Sequence, residues 1–176
     1  MSAKPTVRPC EDRDVPSLRA IYAHHVLHGL ASFEFEPPGE GEMRSRRQAV
    51  IERGFPYLVA EIGGDVVGYA YASPYRARPG YRFSVENSIY IRNGWEGRGI
   101  GRALLAPLIE QCTAMGMRLM VAVIGDSANH ASIGLHKSLG FEMAGNLRSV
   151  GFKFGRWVDS VLMTRPLGDG DGTLPE

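Results

Sequence analysis

At 176 residues the chain has the usual size of one domain, with enough length to bury a proper core. A composition 44% apolar and 22% charged, with a mean hydropathy of -0.15, excludes a disordered, collagen-like or coiled-coil chain. Twenty basic residues against 19 acidic ones leave a formal charge of +1, so no whole-chain field gathers nucleic acid or an anionic membrane, and neither is an expected partner.

In chain order, Thr6 to Pro9 reads as a short edge strand. Asp12 or Asp14 can cap a first helix whose apolar residues Val15, Leu18, Ile21, Tyr22 and Val26 recur at helical spacing. Gly29 ends it, Ala31 to Gly41 with Pro37-Pro38 is a loop, and a polar helix runs from about Glu42 to Glu52. Tyr57 to Ile62 and Val66 to Ala72 flank Gly63-Gly64-Asp65 as an antiparallel hairpin. Ser84 to Ile91 is the fourth strand, Asn93 to Gly101 a glycine-rich loop, and Arg102 to Met115 a helix. The apolar run Leu119 to Ile124 is a buried strand, and Asn129 to Leu139 a helix capped at Ser127 or Asn129 and closed by Gly140. Phe141 to Val150 and Trp157 to Thr164 form a last pair of strands. Residues 1–167 make one domain, and the tail 168–176, with little to bury, is expected to be flexible.

Cys10 and Cys112 are too few for a disulfide framework and show no metal spacing, which suits a reducing compartment. No apolar run approaches the roughly 20 residues of a membrane helix. The N-terminus lacks a signal-peptide stretch, so a cytoplasmic location is expected. His24 and His28 share a helix face, but with no third ligand evident no metal is expected.

The segment Trp95-Glu96-Gly97-Arg98-Gly99-Ile100-Gly101-Arg102 lies between a strand and a helix, where free backbone amides and the positive helix end can cradle an anion. The glycines let the backbone approach a phosphate closely. A flexible loop followed by a helix cap is the bland alternative. A dinucleotide fingerprint would follow the first strand, and a P-loop would need Gly-Lys-Ser/Thr, so neither fits.

Glu96 to Gly101 resembles the acetyl-CoA pyrophosphate loop of the GNAT acyltransferase superfamily, Gln/Arg-x-x-Gly-x-Gly/Ala, with Glu96 standing where Gln or Arg is usual. Asn129-His130-Ala131-Ser132-Ile133-Gly134-Leu135-His136-Lys137-Ser138-Leu139-Gly140-Phe141 is similar to the superfamily segment that lines the pantetheine arm. Ser84 to Ile91, Ser132 to His136 and Val150 to Trp157 are closer still to the phosphinothricin N-acetyltransferase family. The resemblance covers roughly residues 6–165. It implies a mixed α/β GNAT fold: a twisted, mostly antiparallel sheet of about seven strands, helices on both faces, splayed beside the fourth strand. It further implies acetyl-CoA as co-substrate and a small amino-acid substrate of the phosphinothricin, methionine sulfoximine or methionine sulfone type. A homodimer and direct transfer in a ternary complex are implied as well. Another amine, such as a protein N-terminus or polyamine, and a non-catalytic acyl-CoA sensor are the alternatives.

Acetyl transfer to an amine needs a base for the ammonium, polarisation of the thioester and an acid for the departing thiolate. Glu86, the one carboxylate from Arg82 to Arg92, is the candidate base, against the plainer reading of a solvent-facing strand residue. His136 is the candidate acid, with Tyr90 as rival. For the cofactor, the backbone of Ile89, Tyr90 and Ile91 offers strand-like bonds, Glu96, Gly97, Arg98, Gly99, Ile100, Gly101 and Arg102 form the cradle, and Asn129 and Ser138 reach the arm. Asn129 is also a helix cap, a use that competes for the same atoms. Tyr75, Arg76, Arg78, Pro79 and Gly80 supply guanidinium forks for an oxyanion, and Phe33, Glu34, Asn87 and Ser88 wall the substrate. Cys112 is read as a buried thiol rather than an acylated nucleophile.

Overall fold

The computed structural model describes residues 4–175; the first three residues of the expected domain and Glu176 of the expected tail lie outside the described residues. Seven strands form one sheet in the order β1 (Thr6–Pro9), β2 (Tyr57–Ile62), β3 (Asp65–Pro74), β4 (Ser84–Ile91), β5 (Leu119–Gly125), β7 (Arg156–Pro166) and β6 (Glu142–Lys153). Every neighbouring pair is antiparallel except β4 and β5. That parallel pair runs only from Ser84 opposite Leu119 to Asn87 opposite Ala122, and beyond it the sheet divides.

Side chains alternate across a strand, so each face needs its own cover. In β2, Leu58 and Ala60 join the cluster under α3 (Ile100–Ala114), where Leu104, Leu105, Leu108 and Cys112 are buried. Tyr57 and Val59 point the other way, into a second cluster beneath α1 (Val15–His28) and α2 (Glu40–Glu52). The fourth helix, α4 (His130–Ser138), packs at the far side of the division, near β5.

Several elements depart from the sequence reading: α3 begins at Ile100 rather than Arg102, and β3 runs from Asp65 to Pro74 rather than from Val66 to Ala72. The second helix starts at Glu40, because Gly39 takes extended backbone and caps it directly after Pro37-Pro38. Asp14 stands at the α1 N-cap position, yet its carboxylate does not cap. It is gripped by both Arg8 terminal nitrogens at 2.7 and 2.8 Å. Past β7, Leu167 is fully buried and Arg118 bonds the Gly170 carbonyl, the Thr173 hydroxyl and the Leu174 carbonyl, which ties the start of the expected flexible tail to the sheet.

Candidate active site

The division of the sheet creates a strand edge with unused backbone groups. Tyr75 N–H donates to Ser84 C=O and Arg92 N–H to Val67 C=O, so the even-numbered residues of β4 bond β3. The odd-numbered ones face β5. Val85 and Asn87 have partners there, but Ile89 and Ile91 lie past the last β4–β5 pair and direct their amides into the gap. The Ile91 carbonyl accepts from His25 Nε2 at 2.8 Å, which anchors α1 to this edge.

At the end of β4 the chain enters the glycine loop. Gly97 and Gly99 take φ of 73° and 78°, the left-handed region closed to most side chains, and Gly99 is the N-cap of α3. The first helical bond runs from Ala103 N–H to Gly99 C=O, so the amides of Ile100, Gly101 and Arg102 have no intrahelical acceptor. No atom lies within 4 Å of the place a Cβ would occupy on Gly97 or Gly99, so a ligand can reach the turn. Glu96 folds back to accept Gly94 N–H at 2.8 Å, which braces the turn and occupies its carboxylate. Arg98 stacks 4.7 Å over Trp95, and Arg102 reaches the Ser138 carbonyl and hydroxyl at 3.4 Å, linking α3 to α4. Gly99→Val should raise the acetyl-CoA dissociation constant at least about tenfold, since a β-branched residue at positive φ strains or reshapes the turn. Titration calorimetry checks it, and wild-type affinity would remove the cradle.

A cavity of about 400 Å³ opens at the division and is lined by residues from seven elements and the α1–α2 loop. Glu86, Asn87, Ser88, Ile89 and Tyr90 of β4, Phe33 and Glu34 of the loop, and Asn129 and His136 of α4 and its cap all meet there, as expected from the sequence. Glu86 is partly buried, and burial raises its pKa above the ordinary carboxylate value while the Arg76 guanidinium opposes the rise. A carboxylate so placed holds a proton more readily than one in water.

His136 is almost fully buried, with Nδ1 2.8 Å from the Ser132 carbonyl and Nε2 3.0 Å from Asn87 Oδ1. Asn87 in turn donates to the Val121 carbonyl at 3.2 Å. Both ring nitrogens face acceptors, and a neutral imidazole can satisfy one at a time. Burial lowers the His136 pKa, partly offset by the Ser132 carbonyl. Both ring nitrogens are turned to protein acceptors, Nδ1 to the Ser132 carbonyl and Nε2 to Asn87 Oδ1. Tyr90 lies against Tyr22, His25 and Tyr69, and burial lifts its phenol well above the usual range. Asn129 caps α4 through Oδ1 to Ser132 N–H at 3.1 Å, leaving its amide NH₂ for a ligand.

The arginine loop is placed differently from expectation. Tyr75, Arg76, Arg78, Pro79 and Gly80 sit outside the cavity lining, around a single 3₁₀ turn from Pro79 to Tyr81. Arg76 lies over the Tyr75 ring at 5.1 Å, so the expected fork is at the rim. The guanidinium that lines the cavity is Arg46 of α2, bonded to Glu34 at 2.8 Å and to Glu42 through Nε at 3.0 Å. Sequence reasoning missed Arg46 along with Tyr22, Tyr71, Ser132 and Ser160, all of which line the cavity. Tyr22 at helical spacing and Tyr71 in a strand read as core, and nothing local marks them as site residues. Among the described residues no group of three or more His, Cys, Asp or Glu is arranged to hold a metal, and the His24 and His28 rings, 4.9 Å apart, stand without a third ligand.

A strand edge with free amides beside a glycine-capped helix, a divided sheet and a carboxylate at the division define an acyltransferase site. The acetyltransferase (GNAT) domain family matches residues 7–162, and the chain belongs to that family as an N-acetyltransferase. It is 56% identical over 171 residues to phosphinothricin N-acetyltransferase of Alcaligenes faecalis, covering 97% of this chain and 87% of that one. It is 40% identical over 159 residues to the L-methionine sulfoximine/L-methionine sulfone acetyltransferase of Pseudomonas aeruginosa, covering 90% and 92%. The crystal structure of a phosphinothricin acetyltransferase from Sinorhizobium meliloti in complex with AcCoA superposes with a TM-score of 0.96 at 47% identity, covering 99% of this chain and 94% of that one.

Proposed function

We propose that the chain transfers acetyl from acetyl-CoA to the α-amine of a small amino acid, by direct transfer in a ternary complex. The observation that carries this is Glu86: a partly buried carboxylate of raised pKa, on the wall of a cavity that opens where β4 parts from β5. Glu86 takes a proton from the substrate ammonium, the freed amine attacks the thioester carbon, the C–N bond forms and the C–S bond breaks. As the amide forms, the nitrogen gives up its second proton and the departing thiolate takes one up, leaving free CoA. With the His136 nitrogens turned to the Ser132 carbonyl and Asn87, Tyr90, kept protonated by burial and lining the same cavity, is the preferred donor among the candidates. The loop amides of Ile100 to Arg102 hold the diphosphate, and the amides of Ile89 and Ile91 hold the arm.

Relatives named for phosphinothricin and for methionine sulfoximine and sulfone support an acceptor with an α-amine and a short side chain. Thiol release from acetyl-CoA over a panel of those three compounds, a polyamine and a peptide N-terminus tests this. Turnover confined to the amino acids is expected, whereas cofactor binding with no free CoA from any amine would make the protein a sensor.

The β6–β7 hairpin leaves Met143, Val150, Phe152, Phe154 and Trp157 more than half exposed, and Phe35 beside the cavity loop is 70% exposed. An apolar face of this kind supports a homodimer. Sedimentation at twice the 19.3 kDa chain mass is the expected result, and a monomer at micromolar concentration would refute it. Two free, buried thiols, with burial raising Cys10 to about 11 and Cys112 to about 12, support residence in the reducing cytoplasm.

A further inference from the structure

The segment Val150 to Trp157, one of the three that resemble the phosphinothricin N-acetyltransferase family, contributes no residue to the cavity lining. It forms the end of β6 and the turn into β7, and its two buried residues, Gly151 and Lys153, reach instead to the α1–α2 loop, which does line the cavity. Gly151 meets the Phe33 ring: a Cβ there would fall 2.5, 2.8 and 2.9 Å from three of its carbons. Lys153 is two residues on, hence on the same face of the strand, and is 1% exposed. Its ammonium donates to the Gly29 carbonyl at 3.0 Å and the Ser32 carbonyl at 2.6 Å, and lies 4.9 Å from the centre of the Phe154 ring. Among the described residues it forms no ion pair. Taking an ammonium out of water without a counter-ion is costly, and an apolar side chain of similar length would fill the space at lower cost. What the charge holds is specific: Gly29 is the C-cap of α1, where a cation meets the negative end of the helix, and Ser32 closes the turn that follows.

We infer that Lys153 is a positioning residue for the acceptor: it bridges the two ends of the turn from Gly29 to Ser32 and so sets where Phe33 and Glu34 stand on the cavity wall. The inference rests on the acetyl-transfer reading above. Lys153 is outside the cavity lining and acts through the turn alone. One ammonium serves two carbonyls that face it from either end of the turn, whereas a side chain with a single N–H would leave one of them buried and unbonded. The Phe33 ring, seated on Gly151, fixes the loop at a second point on the same strand. The cofactor side is fastened separately, by the His25 bond to the Ile91 carbonyl and by the glycine turn at Gly97 and Gly99. Loss of the ammonium therefore falls on the acceptor and leaves acetyl-CoA binding in place.

The test is steady-state kinetics on Lys153→Met, which has a similar length and no donor. The acceptor is whichever of phosphinothricin, methionine sulfoximine and methionine sulfone the wild type turns over fastest, and calorimetry gives the affinity for acetyl-CoA. Leaving two buried carbonyls unbonded should raise the acceptor KM about tenfold or more, with the acetyl-CoA dissociation constant within about twofold of the wild type. Lys153→Arg keeps the charge and several donors and should bring KM back to within about threefold, a recovery that loss of packing alone would not show. Lys153→Gln, whose neutral amide reaches one atom less far, should lie between, and it keeps the test decisive if the methionine variant fails to fold. Gly151→Ala should raise the same KM, since its methyl displaces the Phe33 ring, whereas Gly145→Ala, on the same strand with open space around it, should leave it unchanged. An unaltered KM in Lys153→Met or Lys153→Gln, or a loss of acetyl-CoA affinity as large as the rise in KM, would overturn the assignment while leaving acetyl transfer standing. No CoA release by the wild type with any of the three acceptors would overturn both.

Discussion

Glu86→Gln should lower kcat by about 10²- to 10⁴-fold, the usual contribution of a positioned base, with little change in the KM for acetyl-CoA. The carboxamide has the shape of the carboxyl but cannot take a proton near neutrality, so the fold and the thioester site stay as they are. The pH profile carries a sharper expectation. Burial raises the Glu86 pKa above the ordinary carboxylate range, with the Arg76 guanidinium working against it. A base acts only when ionised, so kcat/KM for the amine must fall as the pH drops through that raised value, at a higher pH than a carboxyl in water would give. The Gln variant should lose this limb. Arg76→Met should keep it and move it to higher pH, because the charge that favours the carboxylate is gone. An unaltered kcat in Glu86→Gln would take Glu86 out of the reaction.

What the sequence makes legible is whatever is contiguous. Strand β4 has the bounds its alternation predicts, Ser84 to Ile91, and the helix after the glycine loop starts at Ile100, two residues before the expected Arg102. The residues of β4 that line the cavity were legible with it, since one strand supplies Glu86, Asn87, Ser88, Ile89 and Tyr90. Strand β6 runs on to Lys153, three residues beyond the expected end. Its register shifts between Met143 and Gly145 and between Leu147 and Gly151, which breaks the period of two on which the reading depended. The rest of the cavity lining was not legible for a different reason. Arg46, Tyr71 and Ser160 come from three elements whose meeting is a tertiary fact, and each has an ordinary local role as a helix-face or strand residue. His136 shows the same limit from the other side. Its place in the motif suggested a proton donor, and the contacts that orient its ring, with Asn87 of β4 and with the Ser132 carbonyl one helical turn earlier, could not be read from the sequence.

Gly125→Ala should lower the melting temperature by roughly 5–10 °C, from an overpacking penalty of about 2–3 kcal/mol in a chain of this size, and should raise the KM for the amine more than that for acetyl-CoA. A Cβ at Gly125 would fall 1.9 Å from the Leu30 carbonyl oxygen, where the α1–α2 loop crosses the end of β5. Neither side yields easily. Gly125 is paired with Ser160, and the next residue's amide donates to the Asp159 carbonyl at 2.9 Å. The loop is held from outside by Lys153, whose nearly inaccessible ammonium donates to the Gly29 carbonyl at 3.0 Å and the Ser32 carbonyl at 2.6 Å. From inside, the Ser32 hydroxyl shares a 2.9 Å hydrogen bond with Tyr22. The next residue, Phe33, lies so close to Gly151 that a Cβ there would sit 2.5 Å from its ring. The loop must therefore shift as a unit, and since it carries Leu30 to Glu34 on the cavity wall, the shift reaches the amine side first. Gly41→Ala, on the exposed face of α2 with open space around it, is the matching control and should raise stability by about 0.5–1 kcal/mol. Calorimetric melting with steady-state kinetics on both substrates separates the outcomes: a Gly125→Ala enzyme that melts and turns over like the wild type would show that the loop is free to move, and that the cavity wall owes its shape to something other than this crossing.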